Sequence, residues 1–110
     1  MTPNAFENHA LGLLVKPDSH VEKLVHAALG VGSEAGELLT PVKKYWIYGA
    51  GLDVENIIEE SGDLLFYLAV LLRLCGSSLS EAMEKNVEKL QKRYPQGYTD
   101  QAAIARADKA

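Results

Sequence analysis

An all-α fold, a small bundle of about four helices, is what this 110-residue chain predicts. Three observations carry the prediction. Helix-capping signals recur along the chain, and apolar residues between them follow helical rather than alternating spacing. Glycine and proline fall where those periodic stretches stop, as expected for connections between helices. Nearly half the residues are hydrophobic (47%), enough for one core, and the length suits a single domain.

The first helix is expected from Thr2-Pro3, a cap followed by proline at the first helical position, to about Leu14. Pro17-Asp18 then breaks the chain. Ser19, with Glu22 three residues on, forms a capping box for a second helix. Its residues Leu24, Val25, Ala28, Leu29, Ala35, Leu38 and Leu39 keep helical spacing up to a kink at Pro41. Residues 42–48 add a further turn or two, and Gly49-Ala-Gly51 stops them. Asp53 caps a third helix that runs to about Cys75 and ends at Gly76. Ser78 with Glu81 opens a fourth, which ends near Tyr94-Pro95. Residues 1–98 form the domain, and 99–110 a tail or short helix.

Composition narrows the function. The formal charge is −4, and Lys and Arg gather on no face, which argues against nucleic acid as a partner. Met1-Thr-Pro-Asn lacks the features of a signal peptide. The longest apolar run, Leu64 to Leu72, is far below the ~18 residues a membrane span needs. The single cysteine, Cys75, permits no intrachain disulfide and reads as a buried structural thiol. A cytoplasmic protein free of membrane and nucleic acid is expected. The stretch Leu64 to Leu74 is apolar nearly all round, so four short helices can hardly cover it. An obligate-type oligomer, a homodimer or homotetramer, is therefore expected.

Two acidic pairs stand out: Glu34 with Glu37, and Glu60 with Asp63. Residues three apart share a helix face, and like charges there repel. Two such pairs in apolar sequence point to a cation that offsets the repulsion. In an antiparallel hairpin Glu34 would face Asp63 and Glu37 would face Glu60, because both pairs share a midpoint between Tyr48 and Gly49. One four-carboxylate cluster is the expected result. An all-oxygen donor set suits Mg²⁺, with Mn²⁺ as the alternative, rather than zinc or copper. Such ions hold substrate phosphates. Gly30, Gly32, Gly36 and Gly62 crowd the same helices, and each needs a compensating gain such as close packing or ligand approach.

The acids, together with His26-Ala-Ala-Leu-Gly30, Glu59-Glu-Ser-Gly-Asp-Leu-Leu65 and Asn86-Val-Glu-Lys-Leu-Gln-Lys-Arg-Tyr-Pro95, resemble the MazG-like all-α nucleoside triphosphate pyrophosphohydrolases over roughly residues 20 to 98. The resemblance implies cleavage of an NTP or dNTP between the α- and β-phosphates, for nucleotide-pool control or house-cleaning. It implies Glu34, Glu37, Glu60 and Asp63 as metal ligands, with Glu37, Glu59 and Glu60 closest to the chemistry. Lys89 and Arg93, on one face of the fourth helix with Asn86, would meet the phosphates. Tyr67, four residues after Asp63, is the candidate for ribose contact. Two other readings stand beside this one. The first is a dUTP-, dCTP- or phosphoribosyl-ATP-selective enzyme of the same fold, and the second a non-catalytic metal-binding helical dimer. His26 reads more readily as packing than as ligand, and Trp46 and Tyr48 as core anchors rather than base-stacking rings. His9 gives no usable signal.

Overall fold

The computed structural model describes residues 1–14, 16 and 18–109, and it is helical throughout apart from its connections. The elements are α1 (Pro3–Leu13), α2 (His20–Glu37), α3 (Leu39–Ile47), α4 (Val54–Leu74), α5 (Leu79–Arg93) and α6 (Asp100–Ala105), followed by a 3-10 turn, Ala107–Lys109. The chain divides into two compact units, residues 1–79 and 80–110. No single helix among the described residues is long and apolar enough to cross a membrane.

The caps sit where the residues predict them. Thr2 Oγ1 accepts the Ala5 N–H at 3.1 Å, Ser19 Oγ the Glu22 N–H at 3.4 Å and Asp53 Oδ1 the Asn56 N–H at 3.1 Å. Each satisfies an N–H that a helix start leaves without a partner. Gly76 ends α4 with φ of +77°, a conformation that favours glycine. The break expected at Pro17 lies outside the described residues. Thr99 caps α6 through the Ala102 N–H, so the tail holds a short helix, which Arg106 ends in a left-handed conformation before the 3-10 turn.

One boundary differs from expectation. α2 ends at Glu37, and residues 39–47 form a helix of their own rather than an extension past a kink. Proline clashes with the carbonyl four residues earlier, and for Pro41 that residue is Glu37. In the new helix Pro41 falls in the first turn, where no intrahelical partner for its nitrogen is needed.

In the first unit α2 and α4 form the main packing pair, and α1 lies on α4. The buried core is small: Ala10, Ala27, Ala69 and Val70, with Phe6, Phe66, Leu71, Leu74 and Leu79 packed around it. Ala27 and Val70 share the hairpin midpoint of the acids, as do Gly30 and Tyr67. Gly30 is indispensable to that pairing, because a Cβ there would land inside the Tyr67 ring. Gly30→Ala should therefore destabilise by about 1–2 kcal/mol in thermal denaturation, even after a helix-propensity gain of ~1 kcal/mol. At Gly32, Gly36 and Gly62 a Cβ would meet nothing within 4 Å, so close helix packing accounts for only one of the four glycines.

An ion pair absent from the sequence reading ties α1 down. Glu7, only 1% exposed, accepts Arg73 Nε at 2.8 Å and the Leu79 N–H at the start of α5 at 3.3 Å. Arg73 Nη2 also donates to Asn4 Oδ1 at 2.8 Å. One carboxylate thus neutralises the cation that closes the apolar run of α4 and satisfies a helix-start N–H.

Much apolar surface stays uncovered. Val21, Val25 and Leu29 repeat every four residues along α2, and Val54, Ile58 and Leu65 follow on α4, all exposed. Two expectations are corrected here. Trp46 is 81% exposed and Tyr48 64%, so neither anchors the core; Tyr48 instead lies 5.8 Å below the Lys43 ammonium. Cys75 is exposed as the C-cap of α4, not buried, because the helix ends there in a left-handed glycine turn.

Candidate metal centre

α2 and α4 bring Glu34, Glu60 and Asp63 together, with one carboxylate oxygen from each lying within 4.8 Å of the others. The helical spacing of three puts Glu60 and Asp63 on one face, and the register seen at Gly30–Tyr67 sets Glu34 opposite them. Glu34 and Glu60 are partly buried, and Asp63 is exposed. None of the ion pairs among the described residues reaches these three acids.

The absence of a counter-charge shows at Glu60. A hydrogen bond with the Glu34 carboxyl raises the Glu60 pKa above its ordinary 4.5; burial and the charges of Glu34 and Asp63 add to the rise, and Asn56 opposes it. A divalent ion held by these carboxylates would supply the counter-charge that they lack. The oxygen-only donor set fits Mg²⁺ or Mn²⁺.

Glu37 does not join the cluster. As the last residue of α2 it lines a separate cavity of about 280 Å³ with Thr40, Lys44, Asp53 and Asn56. Asn56 links the two places, since it lines this cavity and its amide also acts on Glu60. Glu59 is exposed and lies outside both the cluster and this cavity. A second cavity, about 540 Å³, opens on the other side of the acids. Glu34, Gly62 and Asp63 form its polar end, Phe66 and Tyr67 one wall, and Phe6, His9 and Leu13 of α1 the other. Tyr67 is held by an edge contact with Phe66 (centroids 5.1 Å apart) and by His26 at 5.9 Å. His26 therefore packs, as expected.

The helices that carry the acidic pairs lie in a stretch that matches a known domain. The sequence model of the MazG nucleotide pyrophosphohydrolase domain matches residues 24–98. The chain belongs to the MazG nucleotide pyrophosphohydrolase family. Searches of curated proteins and of solved structures each gave no match. The MazG match runs from Leu24, inside α2, through α5 and so includes all four acids; α1 and α6 fall outside it.

In the second unit Asn86 is exposed and Lys89 half-buried, beside Lys85, Lys92 and Lys109 around a cavity of about 280 Å³. Arg93 is committed elsewhere. Its Nε donates to Asp108 Oδ1 at 2.7 Å and its Nη2 to Oδ2 at 3.1 Å, and the Asp108 side chain is only 4% exposed. The guanidinium holds the Asp108 carboxyl below its ordinary pKa. The sequence reading missed His9 and Phe6, Lys44 and Asn56, and the Glu7–Arg73 pair. For the ion pair no local signal was present, because Arg73, the one basic residue of α4, lies far in sequence from Glu7.

Proposed function

We propose that this chain hydrolyses a nucleoside or deoxynucleoside triphosphate between its α- and β-phosphates, releasing the monophosphate and pyrophosphate, with Mg²⁺ as cofactor and Mn²⁺ able to replace it. The observation that carries the reading is the convergence of Glu34, Glu60 and Asp63, with no ion pair to them among the described residues, in a chain of the MazG family. These three residues would hold the metal. A divalent ion there supplies an activated water and neutralises phosphoryl oxygens. Glu60, whose pKa is raised in the absence of a counter-charge, would give up its proton to ligate the ion. Glu37 and Lys44 line the cavity on the side where the leaving phosphates would extend. The family resemblance supports Asn86 and Lys89 as phosphate contacts, whereas Arg93 is held by Asp108.

Incubation with each common NTP and dNTP plus Mg²⁺ tests the reaction. Monophosphate and pyrophosphate are expected; orthophosphate would contradict it. Tight metal binding without turnover of any triphosphate would favour the non-catalytic dimer.

Protonation gives a second test. Because the folded Glu60 pKa is raised, the folded protein holds a proton that the unfolded chain has lost. That stabilisation is present below pH 4.5 and is lost as pH rises through the folded pKa. Over the same interval the metal must displace the proton. Titration calorimetry in buffers of different ionisation enthalpy should show proton release on Mn²⁺ binding there and little near neutrality. Apparent affinity should rise with pH across the interval.

Self-association is proposed on the exposed apolar faces of α2 and α4. A core of four fully buried apolar residues leaves Val25, Leu29, Ile58 and their neighbours in water, and patches of this kind mark interaction surfaces. Sedimentation should give a dimer or tetramer, and Leu29→Glu with Ile58→Glu should shift it to monomer. A reduced, cytoplasmic setting suits the exposed Cys75 thiol.

A further inference from the structure

The two cavities beside the acids differ in kind. The one that touches Glu34 and Asp63 is walled by Phe6, Leu13, Phe66 and Tyr67, and no lysine lines it. The other, about 280 Å³, lies past Glu37 and Asn56 and is lined by Thr40, Lys44, Gly51 and Asp53. Asn56 precedes Glu60 by one turn of α4, so this cavity begins where the acids end. At 1.5 Å per residue its Asn56 and Asp53 edges stand roughly 6 and 10 Å along the helix from Glu60.

The fold holds the Lys44 backbone in place. Its carbonyl accepts the Tyr48 N–H at 3.1 Å and the Ala50 N–H at 3.2 Å. These bonds end α3 and, with Gly49 at φ of +69°, fold the chain back so that Ala50 and Gly51 line the cavity together with Lys44. Lys43 lies over the Tyr48 ring instead and does not line the cavity. None of the ion pairs among the described residues takes up Lys44. Of the two acids here, Asp53 has a carboxylate oxygen on the Asn56 N–H, at the positive end of α4. Glu37 is left to face a cation that arrives with a ligand, since Mg²⁺ is typically held by one or two carboxylates plus substrate phosphates.

An ammonium without an acid, a hydroxyl and an amide in one recess suit phosphate oxygens. Close to so many carboxylates an anion enters only against a cation, and of these two cavities only this one supplies a lysine. A nucleotide whose α-phosphate sits at the acids reaches Lys44 with the far end of its phosphate chain, and a diphosphate ends sooner. We infer that Lys44 reads the outermost phosphate, so that this chain takes nucleoside triphosphates in preference to diphosphates. This rests on the triphosphate reading above, and the test separates the two.

Binding is measured by calorimetry with Mg²⁺ and α,β-imido nucleotides, whose bridging nitrogen blocks cleavage, in triphosphate and diphosphate forms for each common deoxynucleoside. Wild type should bind the triphosphate about tenfold or more tightly than the diphosphate. Lys44→Ala should weaken the triphosphate about tenfold, the lower range for a hydrogen bond to a charged group because Lys44 is exposed, and should leave the diphosphate unchanged. Lys44→Arg should keep most of the difference, and Lys43→Ala should leave both affinities as they are. Turnover of every dNTP and dNDP is measured on the same proteins. Equal binding of both lengths by wild type, or a Lys44→Ala loss that is absent or the same for both, would overturn the inference; dNTP turnover in that case leaves the hydrolase standing. A loss confined to the triphosphate, with no turnover of any nucleotide, would keep the role of Lys44 and remove the hydrolase.

Discussion

Replacing Asp63 by asparagine is expected to lower triphosphate turnover by about a hundredfold or more, while helix content and Tm hold or Tm rises slightly. Asp63 is exposed and its side chain supports nothing in the core, so a loss of folding is not anticipated. Its carboxylate lies within 4.8 Å of two others, and removing one charge relieves repulsion that no Lys or Arg offsets. The same substitution takes away one of three anionic donors. Even residues that only support a metal ligand cost about 10–100-fold when changed, and a direct ligand should cost at least the upper value. Steady-state kinetics with circular dichroism on the same sample separates these effects. Glu37→Gln is the informative contrast, because Glu37 lines the neighbouring cavity and not the cluster. Its loss should be smaller than that of Asp63→Asn at saturating Mg²⁺.

Glu7→Ala should produce the largest loss of stability. The Glu7 side chain is 1% exposed and accepts two donors, one of them the Arg73 guanidinium at 2.8 Å. Removing one member of a buried pair leaves the other charge uncompensated, which costs about 3–5 kcal/mol. Arg73 keeps 28% of its side chain in water, which places the expected loss at the lower end, about 3 kcal/mol. For a domain of this size that is a fall in Tm of ~10–20 °C. Glu7→Gln preserves shape and an acceptor for the Leu79 N–H, so it should lose distinctly less. A Tm unchanged in Glu7→Ala would show that α1 is held by its apolar contacts alone.

What the sequence made legible were features set by local chemistry. Thr2, Ser19 and Asp53 cap helices because their side-chain oxygens reach N–H groups three residues on. The pairing of α2 with α4 followed from one midpoint, which the Gly30–Tyr67 and Ala27–Val70 contacts share with Glu34 and Asp63. Glu37 was harder, because its departure depends on Pro41 ending the helix four residues upstream of itself. The second wall of the apolar cavity was invisible for a different reason. His9 has no chemical partner nearby in sequence, and only the tertiary placement of α1 brings it beside Asp63 and Tyr67. Likewise Glu7 and Arg73 lie 66 residues apart, and neither gives a local sign of the other. Trp46 shows the limit of composition: an aromatic residue near a turn was expected inside, and it stands in water on α3.

Binding of Mn²⁺ followed by electron paramagnetic resonance, with turnover measured along the same metal titration, tests most directly whether α2 and α4 jointly hold the working ion. Wild-type protein should bind Mn²⁺ and gain activity in step with occupancy, and Glu34→Gln, on the other helix from Asp63, should weaken both by about tenfold or more. Full activity in excess chelator, or Mn²⁺ affinity unchanged in both Glu34→Gln and Asp63→Asn, would contradict it.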